Sequence, residues 1–404
     1  MDLTLIVVLV IALALFFDFT NGFHDTANAM ATPIATGAMR PKVAVALAAV
    51  LNLIGAFLST EVAKTISAGM INEGPVGVLI TPELIFAGLV GAIVWNMVTW
   101  LFGLPSSSSH ALFGGLIGAA IVGAGLASIN VLVVVEKVIL PALIAPLTAG
   151  VVAYAATRLA YAVTRRYDGR PDGRGGFRYG QIFSSSLVAL SHGTNDAQKT
   201  MGVITLTLIA AGLQPTDSGP ELWVVVACAL AIAIGTYSGG WRIIRTLGRG
   251  LTEVKPAQGF AAETSTAATI LASSHLGFAL STTQVASGSV IGSGLGRRGA
   301  SVGWGTAGRI AIGWVMTLPT AGIVGAVAAL IGSAGPAGVL IDAVAGTAVV
   351  VFIFWRSRRS RVSSETAVEL APVQGQSEVA ASGRIVKIKK VKPLKKDTSG
   401  RKSA

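Results

Sequence analysis

Charge is what this chain has least of. Only 12% of its 404 residues are Asp, Glu, Lys or Arg, against 52% hydrophobic. A soluble domain carries about twice that share of charge, so the composition excludes one and leaves a polytopic membrane protein. Cysteine is nearly missing too. Cys228 stands alone, which rules out an intramolecular disulfide and metal centres built on clustered cysteines. It lies in the apolar run "WVVVACALAIAIG" and reads as a small packing residue. No Lys or Arg precedes Arg40, and no small-residue cleavage site precedes the first polar motif. The first apolar segment is therefore expected to be retained rather than removed as a signal peptide. Glycine, by contrast, is plentiful at 49 residues, as close helix packing in lipid favours.

The net charge of +12 invites a nucleic-acid partner, but its location argues against one. Residues 356–404 hold thirteen Lys or Arg and four Asp or Glu, so nine of the twelve charges sit in the tail. That tail reads as a basic, disordered cytoplasmic segment, with "RIVKIKKVKPLKK" close to anionic lipid.

Apolar segments near the roughly 20 residues that cross a bilayer recur at about 3–32, 43–60, 83–103, 106–126, 133–160, 181–211, 222–240, 258–277, 282–296, 305–333 and 337–355. The connections at 39–42, 164–178, 241–255 and 296–299 are basic, whereas 61–82 and 212–221 are neutral to acidic. Eleven alternating spans put every basic connection on one side. The positive-inside rule makes that side cytoplasmic, with the N-terminus outside and the C-terminus inside.

A repeat runs through these spans. "NGFHDTANAM" (21–30) is matched by "SHGTNDAQKT" (191–200), and "LPSSSSHALFGGLIG" (104–118) by "ALSTTQVASGSVIG" (279–292). Asp25 aligns with Asp196, and Ser107-Ser108-Ser109-His110 with Ser281-Thr282-Thr283-Gln284. An odd number of spans separates the two copies, so they enter the membrane from opposite sides. Inverted-topology repeats of this kind point to a secondary transporter with its site at mid-membrane, where the halves meet. The expected architecture is all-α, with about eleven spans in two inverted repeats. Residues 1–160 form the first, 161–180 a basic cytoplasmic connector, 181–355 the second and 356–404 the tail.

The first motif puts Asp18, Asn21, His24, Asp25 and Asn28 into an apolar segment, where each charge costs about 2.5 kcal/mol or more. A helix broken at Gly22, with half-helices at about 4–17 and 27–39, would give those residues a wet cavity to face. A second break at 191–200 would meet the first. The hydroxyl runs Ser107, Ser108, Ser109 and Ser281, Thr282, Thr283 each open a Gly-rich span. There they present donors beside unpaired N–H groups and the positive helix end. Together with Asn28 and Asn195 they could surround a tetrahedral oxyanion such as phosphate. Capping alone explains one hydroxyl at each position, not a run.

Asp25 and Asp196 would repel such an anion, since two like charges 4 Å apart cost about 4 kcal/mol at an effective dielectric near 20. A proton or bound cation on each would remove the repulsion and tie cation to anion, which is symport. His24, His110 and His192 are candidate proton carriers. Lys199, the counterpart of Asn28, supplies charge that a sodium ion would otherwise bring, which favours proton coupling. Glu263 is a further carboxylate inside a span, either a coupling group or one that snorkels to the surface.

At these residues the chain resembles the inorganic phosphate transporter (PiT) family. "GFHDTANAMAT", "SHGTNDAQKTMG", "LPSSSSHALFGGLIGA", "FALSTTQVASGSV" and "WVMTLPTAG" (314–322) follow its motifs in order over about residues 1–335. The "FHD" spelling is similar to the bacterial low-affinity branch. Its members import phosphate with protons, often as a neutral metal–phosphate complex, whereas eukaryotic relatives have Asn at the position of His24 and use sodium. The resemblance implies roles for Asp25, Asn28, Asn195 and Asp196, and matches Glu263 to a carboxylate important in sodium-coupled relatives. Two departures stand out. Gln284 replaces a His found in many members, and the connector at 161–180 is short where many relatives carry a long insertion.

The expectation is thus a phosphate symporter of the plasma (inner) membrane. It has no enzymatic activity, no cofactor and no fixed structural metal, and its partners are phosphate and the lipid bilayer. A proton is the expected coupling ion and sodium the alternative, with a divalent metal travelling alongside phosphate. Gly-rich faces suit a homodimer. The rivals are a carrier of sulfate or another tetrahedral oxyanion, a membrane hydrolase (against which no Gly-x-Ser-x-Gly elbow stands at the hydroxyl runs) and an anion sensor signalling through the tail. Deleting residues 362–404 separates the last of these. Uptake should survive the deletion if the tail is accessory, whereas a sensor would lose its output.

Overall fold

The computed structural model describes residues 3–69, 80–167, 176–216, 218–277, 280–359 and 362–367. Residues 168–175 of the expected connector and 368–404 of the expected tail lie outside the described residues. Among those described, the chain is helical, with one isolated bridge between Thr252 and Val302. The helices are α1 (Leu3–Ala35), α2 (Pro41–Gly55), α3 (Glu61–Gly69), α4 (Pro82–Phe102), α5 (Ser108–Ala124), α6 (Val131–Val134), α7 (Leu140–Tyr167), α8 (Gly176–Ala210), α9 (Leu222–Ser238), α10 (Trp241–Arg245), α11 (Pro256–His275), α12 (Thr282–Gly296), α13 (Trp304–Gly332) and α14 (Pro336–Arg358). Short π-helical turns join α6 to α7 and extend α10.

By length and composition, α1, α4, the run Val131–Thr164, α13 and α14 are long and apolar enough to cross a membrane. Helix α9 and Trp241–Gly250, bent by 57° at a short break, would make a sixth span if taken together. Among the helices at expected spans, α2, α5 and α12 fall short. α2 and α12 have 15 residues each and α5 has 17, which at 1.5 Å per residue reach only about 22–26 Å of a hydrocarbon core about 30 Å thick.

Two helices make the centre. Every residue of α1 from Thr20 to Ile34 is buried, and every residue of α8 from Ser191 to Leu208. α1 packs on α4, α8 and α9, while α8 packs on α2, α3 and α11. α5 is held between α4 and α13, and α12 between α7 and α11. The chain reverses between α4 and α5, and between α11 and α12. Glycines in the left-handed region end α4 (Gly103, φ 64°) and follow α11 (Gly277, φ 70°), a backbone that residues with a Cβ rarely adopt.

The expected helix breaks at 21–30 and 191–200 are not there. α1 and α8 run unbroken through both motifs. Glycine at these positions serves close packing rather than a turn of the backbone. A Cβ on Gly22 would lie 2.4 Å from the Ile232 carbonyl oxygen, and one on Gly235 2.1 Å from that of Phe19. Gly193 and Gly55 do the same between α8 and α2, with a Cβ 2.2 Å from the carbonyls of Asn52 and Leu190 respectively. Backbone thus meets backbone at both crossings. Asp25, Asn28, His192, Asn195, Asp196 and Lys199 bond to side chains or carbonyls of neighbouring helices and turns, so the helical ladder need not open to serve them.

Gly22→Ala and Gly193→Ala should each cost about 1–3 kcal/mol through overpacking, read as a lower unfolding temperature of the purified protein in detergent. Unchanged unfolding temperatures would remove close approach as the reason for glycine at these positions.

Candidate functional site

The polar side chains that composition makes scarce gather where α1 and α8 face each other. On α1 they fall at Asp18, Asn21, Asp25, Asn28 and Thr32, alternating steps of three and four that keep one helix face. All five are buried. On α8 the facing residues are His192, Asp196 and Lys199, also buried.

Asp25 lies at the middle. One carboxylate oxygen is 2.7 Å from His24 Nδ1 and accepts a hydrogen bond from Thr283 (3.1 Å); the other accepts from Ser108 (3.0 Å). Asp196 accepts from Thr282 (3.1 Å) and pairs with Lys199. His192 joins the two. Its Nε2 is 3.1 Å from Asp196 and 3.8 Å from Asp25, while Nδ1 lies 3.2 Å from Asn52 Oδ1. Lys199 also donates to the Ser109 hydroxyl (2.6 Å) and the Leu280 carbonyl (2.9 Å). Asn28 donates to Thr282 (3.2 Å) and Thr283 (3.0 Å).

The hydroxyl runs divide their work. Ser107 and Ser281 cap α5 and α12, accepting from the backbone N–H of His110 (3.1 Å) and Gln284 (3.3 Å). Ser108, Thr282 and Thr283 point their donors at the carboxylates. Both helix N-termini therefore open onto the same cluster, where their partial positive charge offsets the carboxylates. His24 reaches past Asp25 to Thr99 (3.4 Å) and Ser106 (3.3 Å).

Several expected residues lie away from this centre. Asn195 faces α11, donating to Ser274 (3.0 Å), and its side-chain oxygen has no hydrogen-bond partner among the described residues. His110 and Gln284, aligned in the sequence, meet each other at 3.4 Å. They sit at the edge of an apolar cleft of about 770 Å³ bordered by α7, α12 and α13. That cleft offers an oxyanion few polar partners. Glu263 is buried rather than snorkelling, and forms its own cluster. It accepts from Thr32, from Gln181 (3.0 Å) and from Ser184 (2.6 Å). Thr32 is seven residues from Asp25, about 10 Å along α1.

Asp18 carries no assigned role in the sequence reading, yet it is fully enclosed and neither of its oxygens has a hydrogen-bond partner among the described residues. Gln181 and Ser184, which hold Glu263, belong to no motif. The only signal for either group is a polar residue in step with the α1 or α8 stripe.

Asp25, His192 and Asp196 offer ligand atoms within 4.8 Å of one another, near enough to close on a small cation. The Lys199 ammonium already rests on Asp196, so the chain supplies much of the charge that a metal ion would bring.

A model of the "Phosphate transporter family" matches residues 21–172 and 162–325. The chain is 61% identical over 328 residues to the "probable low-affinity inorganic phosphate transporter" of Mycobacterium tuberculosis strain H37Rv, covering 81% of this chain and 78% of that one. It is 57% identical over 370 residues to the protein of the same description from Mycobacterium leprae, covering 90% and 87%. The Bacillus subtilis counterpart is 42% identical over 332 residues, covering 81% and 98%. Among solved structures, one titled "The sodium-dependent phosphate transporter" superposes with a TM-score of 0.71 at 22% identity, over 82% of this chain and 99% of that one. At that identity the likeness is one of fold.

The Lys199–Asp196 pair yields a stability prediction. Lys199→Met should cost about 3–5 kcal/mol by leaving a buried carboxylate uncompensated. Adding Asp196→Asn should restore part of the loss in the melting temperature. A double variant no more stable than the single one would mean that the pair does not hold these helices.

Proposed function

The chain belongs to the phosphate transporter family, and on that premise we propose that it is a secondary active symporter that imports inorganic phosphate through the membrane together with a cation. One observation carries the reading: the hydroxyls of Ser108, Thr282 and Thr283, the donors a phosphate would need, are spent on Asp25 and Asp196. Phosphate that draws these hydroxyls to its own oxygens takes donors from two buried carboxylates. Each then stands underbonded in a medium that penalises unpaired charge. A cation delivered to the carboxylates removes the penalty. Anion and cation therefore bind well only together; a half-loaded site resists crossing, while the empty one, its carboxylates satisfied by the hydroxyls, is free to return.

Phosphate binds, on this reading, between the N-termini of α5 and α12, with Asn28 and Lys199 flanking it. Lys199 provides one fixed positive charge beside the anion, and the relayed contacts of His24 and His192 suit a proton as the coupled ion. A divalent metal escorting phosphate would enter as cargo.

An inverted repeat is supported by contacts that correspond under the sequence alignment. Ser108 donates to Asp25 and Thr282 to Asp196. Asn28 donates to Thr283 as Lys199 does to Ser109. Ser107 and Ser281 act as matching caps, and His110 touches Gln284, its own counterpart. Helix packing follows suit, with α1 on α9 and α2 on α8. The basic loops support an N-terminus outside and a C-terminus in the cytoplasm of a multi-pass protein in the plasma membrane.

Uptake of radiolabelled phosphate into proteoliposomes tests this, under a pH gradient or a sodium gradient, with and without magnesium, and with sulfate as competitor. The wild type should take up phosphate in the pH-gradient arm. Asp25→Asn and Asp196→Asn should each lose about ten- to a hundredfold, the worth of hydrogen bonds to a charged group. Uptake driven by sodium alone would replace the proton, and uptake of sulfate in place of phosphate would overturn the substrate.

A further inference from the structure

Four carboxylates are buried along the contact of α1, α8 and α11, and three of them are provided for. Asp25 has His24, Ser108 and Thr283; Asp196 has Lys199, His192 and Thr282; Glu263 has Thr32, Gln181 and Ser184. Asp18 is the exception. Both of its oxygens are buried and without a hydrogen-bond partner among the described residues. The same is true of both side-chain atoms of Asn21, one turn along the same face, and of the Thr200 hydroxyl. Thr200, on α8, is the hydroxyl set against the Asp18 carboxylate, near it but outside hydrogen-bond geometry.

The charged surroundings make the omission more telling. His192, Asp196 and Lys199 face Asp18 from α8, and Cys228 faces it from α9. In that set the Lys199 ammonium rests on Asp196 and the His192 ring lies between Asp196 and Asp25, while the charge of Asp196 repels Asp18. A buried carboxylate left alone is expensive, so a mobile positive charge is what the position asks for. Asp18 offers two oxygens, Asn21 one and Thr200 one, a set with a single negative charge. That suits one monovalent cation held by oxygen, and is too little charge for a divalent one.

We propose that Asp18, Asn21 and Thr200 form a second cation subsite, which binds the coupled monovalent cation about 10 Å along α1 from the central pair. This rests on the symport reading above and names where the coupled charge is held. The ligand is a unit positive charge bound by oxygen atoms, and either a proton or a sodium ion supplies it.

The test is calorimetric titration of inorganic phosphate into the purified full-length protein. One arm compares lower with higher pH in choline chloride, and the other compares sodium chloride with choline chloride at constant pH. In the wild type, the ion in one arm should tighten phosphate binding by about 5–150-fold, the usual span of such coupling. In Asp18→Asn that dependence should disappear, and Asp18→Glu should restore it. Asn21→Ala and Thr200→Val keep the carboxylate and should raise the ion concentration needed for half the effect. Comparison with the wild type removes the change in the charge of phosphate itself across the pH arm.

An Asp18→Asn protein that keeps the full wild-type dependence overturns the subsite. Should that variant fail to fold, an unchanged ion requirement in both Asn21→Ala and Thr200→Val overturns it equally. A wild type that binds no phosphate, or binds it independently of both ions, removes the symport reading and the subsite with it. A wild type that couples while Asp18→Asn also couples removes the subsite alone.

Discussion

Asp25 and Asp196 share one imidazole. His192 stands 3.1 Å from one carboxylate and 3.8 Å from the other, and all three side chains are buried. Two like charges in that setting would push α1 and α8 apart unless something holds them. Lys199, the hydroxyls of Ser108, Thr282 and Thr283, and the ends of α5 and α12 do so together. Remove the carboxylates and these parts lose their reason to converge. The turn between α4 and α5 would have no cause to bring polar tips inward, and Lys199 would be a buried cation without a counter-ion.

Bringing charge to such a place requires helices that approach almost to contact, and glycine makes that possible. Gly22 and Gly235 let α1 and α9 touch through their backbones, and Gly193 and Gly55 do so for α8 and α2. The motif glycines thus stand beside the motif carboxylates for a mechanical reason. One face of each central helix is flattened against a neighbour, which turns the polar face toward the other central helix.

Much of the site was legible in the sequence because local patterns carried it. Asp25 and Asp196, the two hydroxyl runs and the His110–Gln284 correspondence were found by alignment within the chain, and these residues do come together. The course of the backbone through the motifs was not legible. Glycine serves both turning and close packing, and only the facing helix (here the Ile232 carbonyl) decides which. The surroundings of Glu263 were hidden for another reason. Thr32, Gln181 and Ser184 lie on two other helices and share no motif with it, so no short window of sequence brings them together. Asp18 was visible as a charge in an apolar run, but its isolation is a property of three-dimensional neighbours.

The unbroken course of α1 has a mechanical consequence. An intact helix behaves as a stiff rod over this distance, because stretching or twisting it strains every hydrogen bond along the way. Asp18, Asp25 and Thr32 are mounted on that rod at seven-residue intervals, with no joint between them. A push on one is delivered to the others with its direction preserved and little of it absorbed. The three polar tiers therefore share one lever, and none of them can shift along α1 without carrying the other two with it.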